Sequence, residues 1–307
     1  MSVLTTENHN KKISVFWGHL LIKLQKPFIK LYAKLTRKNK EQQKMCYRRI
    51  LTAKQKKYLS RYLFVLSEQP LPKKGKENKT IWFCWLQGEN NAPPIIAKCL
   101  QSIRRYCPDY RVVVLTNENI KQYADLPDFI YEKNKKGIIS NTHFSDILRL
   151  VLLTQNGGIW IDATVFLTEP LPTEITHSEF FAFHTKSFVT SNNWLIKANS
   201  GNMLLEKLKR LILDYWQNET KVIDYFFFHI FFDLLVENDE ECAEIWRKTP
   251  LIYDDMYDLE QLYFVKYDEQ KWQRLKQKTS IHKLSWKYNK QPKPDTFLAY
   301  FLSGKLD

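Results

Sequence analysis

The chain has few cysteines, and none of them belongs to a closely spaced pair. A disulfide framework or a zinc site needs cysteines at short, regular spacings, so neither is predicted. Free cysteines suit a reducing compartment, and we expect a cytoplasmic protein. The five cysteines are odd in number and scattered, without a CxxC motif: Cys46, Cys84, Cys99, Cys107 and Cys242.

The sequence also lacks an apolar run of the roughly 18 to 20 residues that cross a bilayer. The nearest approach is residues 13–35, which are interrupted by Lys23, Lys26, Lys30 and Lys34 and precede no small-residue cleavage site. We therefore predict neither a membrane span nor a signal peptide. The 307 residues, 44% of them apolar, are enough to form a globular core.

Acidic residues are scarce in the first quarter of the chain. Residues 1–80 contain 20 Lys and Arg against 4 Asp and Glu, whereas residues 81–307 contain 27 against 29. The formal net charge of +14 therefore belongs to the N-terminal segment. A nucleic-acid-binding domain would distribute basic residues over the surface that contacts phosphates. We expect no nucleic-acid partner.

This basic segment has helical periodicity, with a kink or restart predicted at Pro27. A basic amphipathic helix of this kind suits the surface of an anionic membrane. A helix packed on the rest of the protein, with its lysines in solvent, is the alternative interpretation. The apolar residues at helical spacing are Ile13, Phe16, Trp17, Leu20, Leu21, Leu24, Phe28, Leu31 and Leu35.

A polar linker follows the basic segment. Residues 69–80 (QPLPKKGKENKT) are interrupted by two prolines and a glycine, which is typical of an exposed loop. We therefore divide the chain into a helical arm with its linker, residues 1–80, and a body, residues 81–307. Within the body, two helices are predicted between residues 203 and 232.

The body begins with a strand, a helix and a second strand. Residues 81–86 (IWFCWL) are wholly apolar, which is typical of a buried strand in a parallel sheet. Pro93 and Pro94 begin a helical pattern that ends at Cys107, before a strand at residues 110–115 (YRVVVL). Such βαβ units form parallel sheets covered by helices. We therefore predict an α/β fold with a mostly parallel sheet.

A second unit contains the most informative polar residue. Residues 142–155 predict a helix, Gly157 and Gly158 end it, and residues 159–166 (IWIDATVF) predict a strand. Asp162 interrupts this strand near its end, where α/β folds bind their ligands. A buried carboxylate needs a partner, which can be a metal ion, a charged ligand or a structural salt bridge.

Asp146 and Arg149 share one face of the preceding helix. By themselves they predict an ordinary helix ion pair. The glycine turn, however, brings this helix close to the strand that contains Asp162. Two carboxylates and a guanidinium near one another would suit a nucleotide-sugar donor.

Residues 143–166 (HFSDILRLVLLTQNGGIWIDATVF) resemble the SD-x-x-R, GG, D-x-D block of sugar-transferring enzymes with a DXD motif. Residues 81–171 are similar to the bacterial capsular polysaccharide synthesis family, itself similar to the glycosyltransferase family 32 group. The resemblance implies a GT-A type, Rossmann-like fold with its donor-binding core in residues 81–171. Residues 172–307 would then supply acceptor-side helices and a closing segment. Thr164 stands where such relatives have a second Asp.

The resemblance also assigns roles to residues. It implies Asp146, Arg149 and Asp162 as the catalytic group, acting with a divalent ion, Mn²⁺ or Mg²⁺. Ligands of that ion are implied at Asp162, Thr164 and His282. Donor-binding residues are implied at Trp85, Gln87, Gly88, Gly157, Gly158, Thr164, Lys283 and Trp286. Acceptor-side residues are implied at Asn193, Trp194, Asp224 and His229.

Simpler interpretations stay open for some of these residues. Trp85 also fits a core tryptophan, because its whole strand is apolar. Asp224 and His229 also fit a satisfied polar pair on a core helix face, and a lone His such as His282 is more often structural.

The function implied by the resemblance is transfer of a hexosyl group, with retention of configuration, from a nucleoside diphosphate sugar. A UDP-sugar is the expected donor, and a capsular or other cell-surface polysaccharide or glycolipid is the expected acceptor. With a lipid-linked saccharide as acceptor and a basic arm, the protein is expected at the inner face of a bacterial cell membrane. The alternatives are a sugar-phosphate transferase of cell-surface polymers and a membrane-associated binding protein without catalysis.

Overall fold

The computed structural model describes residues 2–37, 39–67, 75 and 77–306, with side chains from residue 18 onward. The predicted apolar positions Ile13, Phe16 and Trp17 therefore lie outside the described side chains, as does most of the predicted linker. The helices are α1 (Ser2–Thr36), α2 (Lys40–Leu59), α3 (Pro94–Tyr106), α4 (Ile120–Tyr123), α5 (Asp128–Lys135), α6 (Asn141–Asn156), α7 (Thr173–Thr176), α8 (Met203–Asn218), α9 (Phe227–Asn238), α10 (Glu240–Arg247), α11 (Asp258–Gln261), α12 (Glu269–Lys278) and α13 (Phe297–Leu302). The strands are β1 (Thr80–Cys84), β2 (Arg111–Leu115), β3 (Gly158–Ile161), β4 (Val165–Leu167), β5 (Phe180–His184), β6 (Ser191–Ala198) and β7 (Ile281–Lys283).

Five strands form the main sheet, in the order β2-β1-β3-β6-β5. Strand β1 is parallel to both β2 and β3, and β6 is antiparallel to both β3 and β5. Four of the five strands therefore run in one direction, which confirms the predicted α/β class and mostly parallel sheet. A second, two-stranded sheet pairs β4 with β7.

The main sheet is covered on both faces, which explains the apolar run at residues 81–84 of β1. Trp82 packs on the side of α6, α8 and α9, whereas Ile81 and Phe83 pack on the side of α3. Successive residues of a strand point to opposite faces, so a strand covered on both sides must be apolar at every position. The two helices predicted between residues 203 and 232 are confirmed as α8 and α9.

The predicted strand at residues 159–166 is wrong in its extent, because it is two strands in different sheets. Strand β3 ends at Ile161, and a turn closed by a hydrogen bond from the Val165 N–H to the Asp162 carbonyl leads into β4. The Asp162 N–H donates to the Trp194 carbonyl of β6. The sequence prediction also contained neither β5 nor β6, the antiparallel pair at one side of the sheet.

The arm is attached to the body by buried polar contacts. The Tyr58 and Tyr62 hydroxyls each donate to Glu219 Oε1, over 2.5 and 2.7 Å. In α2, Arg48 Nη2 donates to Asp224 Oδ1 over 2.9 Å. The second half of the arm is therefore packed on the body.

Helix α1 lies against α2 and continues through Pro27, so the predicted restart is wrong, whereas the kink stays a prediction. Its buried residues Ile22, Ile29 and Ala33 lie on both sides of the proline and hold the helix on its neighbour. Tertiary packing thus compensates for the loss of the backbone hydrogen bond that proline cannot donate. Among the described residues, none of the helices combines the length and apolarity needed to cross a membrane.

We predict that Gly158→Ala destabilises the protein more than Gly88→Ala. Both glycines have positive φ, +104° and +87°, so each alanine incurs backbone strain of about 1–2 kcal/mol. At Gly158 the new Cβ would also lie 2.4 Å from the Thr80 carbonyl oxygen, whereas nothing lies within 4 Å at Gly88. The clash should add about 1–3 kcal/mol to the loss in unfolding free energy. Urea denaturation measures both losses, and equal losses would contradict the packing role of Gly158.

Candidate functional site

A polar cleft of about 450 Å³ lies at one edge of the main sheet. The parallel strands β1 and β3 end at this edge, while the antiparallel strand β6 and helix α6 begin there. Polar residues just outside these elements therefore converge although they are distant in sequence. The predicted site residues that line the cleft are Trp85, Gln87, Asp146, Arg149, Asp162, Thr164, Asn193, His229 and Trp286.

Arg149 lies at the centre of the cleft and bridges both carboxylates. Its Nη1 is 3.0 Å from Asp146 Oδ1, and its Nη2 is 3.2 Å from Asp162 Oδ1. Nη1 also donates to the Asn193 carbonyl oxygen over 2.8 Å, and the Asn193 amide donates to Asp146 Oδ1 over 2.9 Å. The guanidinium carbon lies 4.8 Å from the centre of the Trp160 ring. This planar group therefore joins α6, the end of β3 and the start of β6.

Lys283 approaches Asp162 from the other side. Pairing of β4 with β7 places it opposite Val165, and its ammonium donates to Asp162 Oδ2 over 3.2 Å and to the Thr164 hydroxyl. The Trp160 indole N–H donates to the other oxygen, Asp162 Oδ1, over 2.9 Å. Both oxygens of the Asp162 carboxylate therefore face positively charged donors.

The two carboxylates have opposite pKa shifts. Burial raises the pKa of Asp146 above its usual range, and the Arg149 charge only partly offsets it. Burial also raises the pKa of Asp162, but the charges of Lys283 and then Arg149 outweigh it, and the net shift is downward. Asp162 is therefore the more firmly ionised of the two. Such divergent pKa values cluster at functional sites.

Several buried polar atoms around the cleft have no hydrogen-bond partner among the described residues: Trp85 Nε1, Arg149 Nε and His229 Nδ1. Burial, with the nearby Arg149 charge, lowers the pKa of His229 to about 3, so its ring is neutral. Buried polar groups are usually satisfied, and unpaired ones beside a cleft indicate a ligand.

The mouth of the cleft is aromatic and basic. The rings of Trp85 and Trp286 meet edge to face with centroids 5.6 Å apart, and Trp286 remains 39% exposed. Lys287, whose ammonium lies 5.2 Å from the centre of the Trp286 ring, and the exposed Tyr225 also line the cleft. Lys287 and Tyr225 were not among the predicted site residues, and only the fold brings them to the cleft.

Residues 26–301 match the family described as capsular polysaccharide synthesis protein. The chain belongs to this family. The match begins within the arm, so the capsular polysaccharide synthesis family includes part of the arm as well as the body. The predicted family is confirmed, and the mostly parallel sheet is consistent with the implied GT-A type fold. The narrower likeness to glycosyltransferase family 32 stays a prediction.

Two curated relatives share parts of this sequence. The chain is 27% identical to O-glycosyltransferase braB of Annulohypoxylon truncatum, over 47% of this chain and 39% of that protein. It is 28% identical to glycosyltransferase afumC of Aspergillus fumigatus, over 33% of this chain and 28% of that protein. The matched segments thus span well under half the length of either relative.

Two solved structures were also matched at low identity. The PaToxG glycosyltransferase is 16% identical, with 65% of this chain and 85% of that chain covered and a TM-score of 0.42. A structure described as a mutant transferase is 14% identical, with 62% of this chain and 93% of that chain covered and a TM-score of 0.32.

Some predicted site residues of this family member lie outside the cleft. Gly157 and Gly158 are at the beginning of β3, whereas Asp162 follows its end, so these glycines serve the packing of β3 rather than the donor. Gly88 follows Gln87 but does not line the cleft. Trp194 is buried and stacks on Phe183, with centroids 4.3 Å apart.

The placement of Asp224 on the acceptor side is corrected as well. Its carboxylate accepts hydrogen bonds from Arg48 and from Gln55 Nε2, both in α2. It therefore attaches the arm to the body, and it is not paired with His229 as the simpler interpretation expected. His229 lines the cleft instead.

His282 is corrected as a metal ligand. It is 1% exposed, lies between Phe166 and Trp272, and its Nε2 is 3.5 Å from the Thr168 hydroxyl. Because strand residues alternate in direction, placing Lys283 at the cleft directs His282 away from it.

The remaining implied ligands do not fit a divalent ion. Both Asp162 oxygens face cations, and the Thr164 hydroxyl accepts from the Lys283 ammonium. Across the described part of the chain, no three His, Cys, Asp or Glu side chains come together as a metal site. An ion between Asp162 and Thr164 would have to displace Lys283.

We predict that His282→Asn reduces the pH dependence of stability. Burial lowers the pKa of His282 from 6.5 to about 4, so between these values the unfolded chain binds a proton that the folded protein does not. This histidine therefore makes stability fall as pH falls below 6.5, by up to about 1.4 kcal/mol per pH unit. Denaturation of the variant between about pH 4.5 and 6 should show a smaller slope of unfolding free energy against pH than that of the wild type. Between about pH 7.5 and 8.5 the two slopes should be equal. An unchanged acid slope would show that His282 titrates normally.

Proposed function

We propose that this chain is a glycosyltransferase that transfers a hexosyl group from a nucleoside diphosphate sugar. Membership of the capsular polysaccharide synthesis family and partial similarity to two named glycosyltransferases support the class. The observation that carries the proposal is the pair of cations, Arg149 and Lys283, held by the Asp162 carboxylate at a cleft with unpaired polar atoms. Preorganised cations of this kind stabilise a departing diphosphate.

The cleft can accommodate each part of such a donor. Arg149 and Lys287 line the cleft, and Lys283 contacts Asp162 and Thr164 of its lining. These three cations are positioned to bind the diphosphate, because guanidinium and ammonium groups are preferred phosphate ligands. The exposed face of Trp286 offers a stacking surface for the base, which we propose to be uracil. Asp146 and Asn193 would then hold the sugar hydroxyls.

In the proposed reaction, the bond between the anomeric carbon and the diphosphate oxygen breaks as an acceptor hydroxyl oxygen bonds to that carbon. The nucleoside diphosphate leaves with the bonding electrons, and the acceptor proton passes to a phosphate oxygen. Asp146 and Asp162 both lie against Arg149, so neither is a free general base. Attack from the leaving-group face, with retention of configuration, fits this arrangement. The proposed acceptor is a capsular or other cell-surface polysaccharide or glycolipid.

We predict that Asp162→Asn lowers UDP-sugar hydrolysis and transfer by about 10²–10³-fold, because the amide no longer positions the two cations. The variant should still be folded and should unfold in a cooperative thermal transition. The matched control is Asp125→Asn, an exposed carboxylate outside the cleft, which should retain wild-type turnover.

The nucleotide product separates the alternatives. Release of UDP or GDP supports glycosyl transfer, whereas UMP or CMP would indicate a sugar-phosphate transferase. Absence of both, with folded protein and a panel of donors, would indicate a binding protein without catalysis. Near-normal turnover of Asp162→Asn would exclude the proposed site.

We further propose that α1 holds the protein on the surface of an anionic membrane. Opposite the face that packs on α2, α1 exposes an apolar stripe, and Lys23, Lys30 and Lys34 are exposed beside it. Apolar side chains flanked by lysines are complementary to anionic lipid headgroups and the acyl boundary beneath them. We propose the inner face of a bacterial cell membrane as the location, because it offers both an anionic lipid surface for α1 and lipid-linked saccharides as acceptors. The stripe consists of Leu21, Leu24, Phe28, Leu31 and Leu35, which are 53 to 77% exposed.

We predict that Leu24→Ser combined with Phe28→Ser weakens binding to vesicles containing phosphatidylserine by at least about tenfold, because burial of each large apolar side chain contributes about 1.5–3 kcal/mol. Vesicle sedimentation measures the partition coefficient, and donor hydrolysis should be unchanged. The matched control is Leu251→Ser with Phe264→Ser, two exposed apolar residues outside the arm, which should bind as the wild type does. Equal binding of all three proteins would contradict the membrane role of α1.

A further inference from the structure

The position of Lys283 suggests how the site works without the second carboxylate of a D-x-D motif. The Lys283 ammonium contacts both Asp162 Oδ2 and the Thr164 hydroxyl, the two side chains at either end of the D-A-T sequence. We propose that this ammonium takes the place of a divalent ion, so that the enzyme binds and cleaves its donor without a metal. The inference rests on the proposed glycosyltransferase function.

Backbone pairing fixes Lys283 in this position. Strand β7 pairs with β4 so that Lys283 lies opposite Val165, and the Leu284 N–H donates to the Thr164 carbonyl over 2.8 Å. The Lys283 side chain is only 15% exposed. A flexible surface lysine could withdraw to admit an ion, but Lys283 is held by the pairing of β7 with β4 on one side and by its N–H bond to the Met256 carbonyl on the other.

The charges of the site also disfavour an added ion. The carboxylates of Asp146 and Asp162 are matched by Arg149 and Lys283, which leaves the four groups neutral together. A divalent ion inserted beside Asp162 would lie next to two fixed cations with one carboxylate to share. Mg²⁺ at phosphate sites is usually held by one or two carboxylates together with the substrate phosphates, and the carboxylate available here is already paired with both cations.

A fixed ammonium can perform the electrostatic task that a metal performs in diphosphate departure. That task is to place positive charge beside the phosphate oxygens that gain negative charge as the sugar leaves. Lys283 and Arg149 together supply two such charges in a partly buried site, where electrostatic interactions are stronger than in water.

The test compares the wild type with a double variant, Thr164→Asp with Lys283→Ala, which restores the second carboxylate and removes the ammonium. Titration with Mn²⁺, followed by electron paramagnetic resonance with and without UDP, reports metal binding directly. The wild type should show no saturable Mn²⁺ site, and its donor hydrolysis in EDTA should be within about twofold of that in Mn²⁺. The double variant should bind one Mn²⁺, and its hydrolysis should fall at least about tenfold in EDTA, because the bound metal would then stabilise the leaving group in place of the ammonium.

Two single variants complete the design. Lys283→Ala should lower donor hydrolysis in EDTA by about 10²-fold through loss of one fixed charge, and Lys283→Arg should retain more of it. A saturable Mn²⁺ site in the wild type that Asp162→Asn removes would overturn the inference, as would a wild-type activity that EDTA abolishes. If the wild type turns over no donor in either buffer while its Mn²⁺ titration shows no site, the proposed function fails and the absence of a metal site still stands.

Discussion

The Arg149 guanidinium, shared between the carboxylates of Asp146 and Asp162, is the interaction on which the cleft depends. It connects the first turns of α6 to the end of β3 and, through the Asn193 carbonyl, to the beginning of β6. Arg149 is 3% exposed, so its charge is stable there only because both carboxylates accompany it. Removing one member of such a buried network leaves an uncompensated charge, which is far more costly than breaking a surface ion pair.

The same interaction makes the two carboxylates different. At Asp146 the effect of burial exceeds the opposing effects of Arg149, His143 and the Asn193 amide, whereas at Asp162 the charges of Lys283 and Arg149 outweigh it. The pKa of Asp146 therefore rises and that of Asp162 falls, although the two lie on the same guanidinium. Asp162 is the ionised anchor that orients two cations, and Asp146 is a hydrogen-bonding group beside the place proposed for the sugar.

A second set of buried ionic contacts joins the arm to the body. Glu219 accepts from the Tyr58 and Tyr62 hydroxyls, and Asp224 accepts from Arg48 and Gln55. These contacts leave the outer face of α1 uncovered while α2 is part of the core. Helix α1 itself packs on α2 through one face, as the interpretation of a packed helix expected, and its opposite face exposes the apolar stripe, for which binding to a membrane stays a prediction.

The sequence by itself determined the features that depend on neighbouring residues. The apolar run of β1, the periodicity of α6 and the position of Asp162 at a strand end are local patterns, and each was predicted to within a few residues. Tertiary structure decided what depends on contacts between distant segments. Lys283 meets Asp162 across 121 residues, and Arg48 meets Asp224 across 176. The choice between His282 and Lys283 at the cleft depends on the register of β7 against β4, and a shift of one residue would exchange them. No local propensity specifies that register, because it arises from the packing of β7 against the rest of the fold.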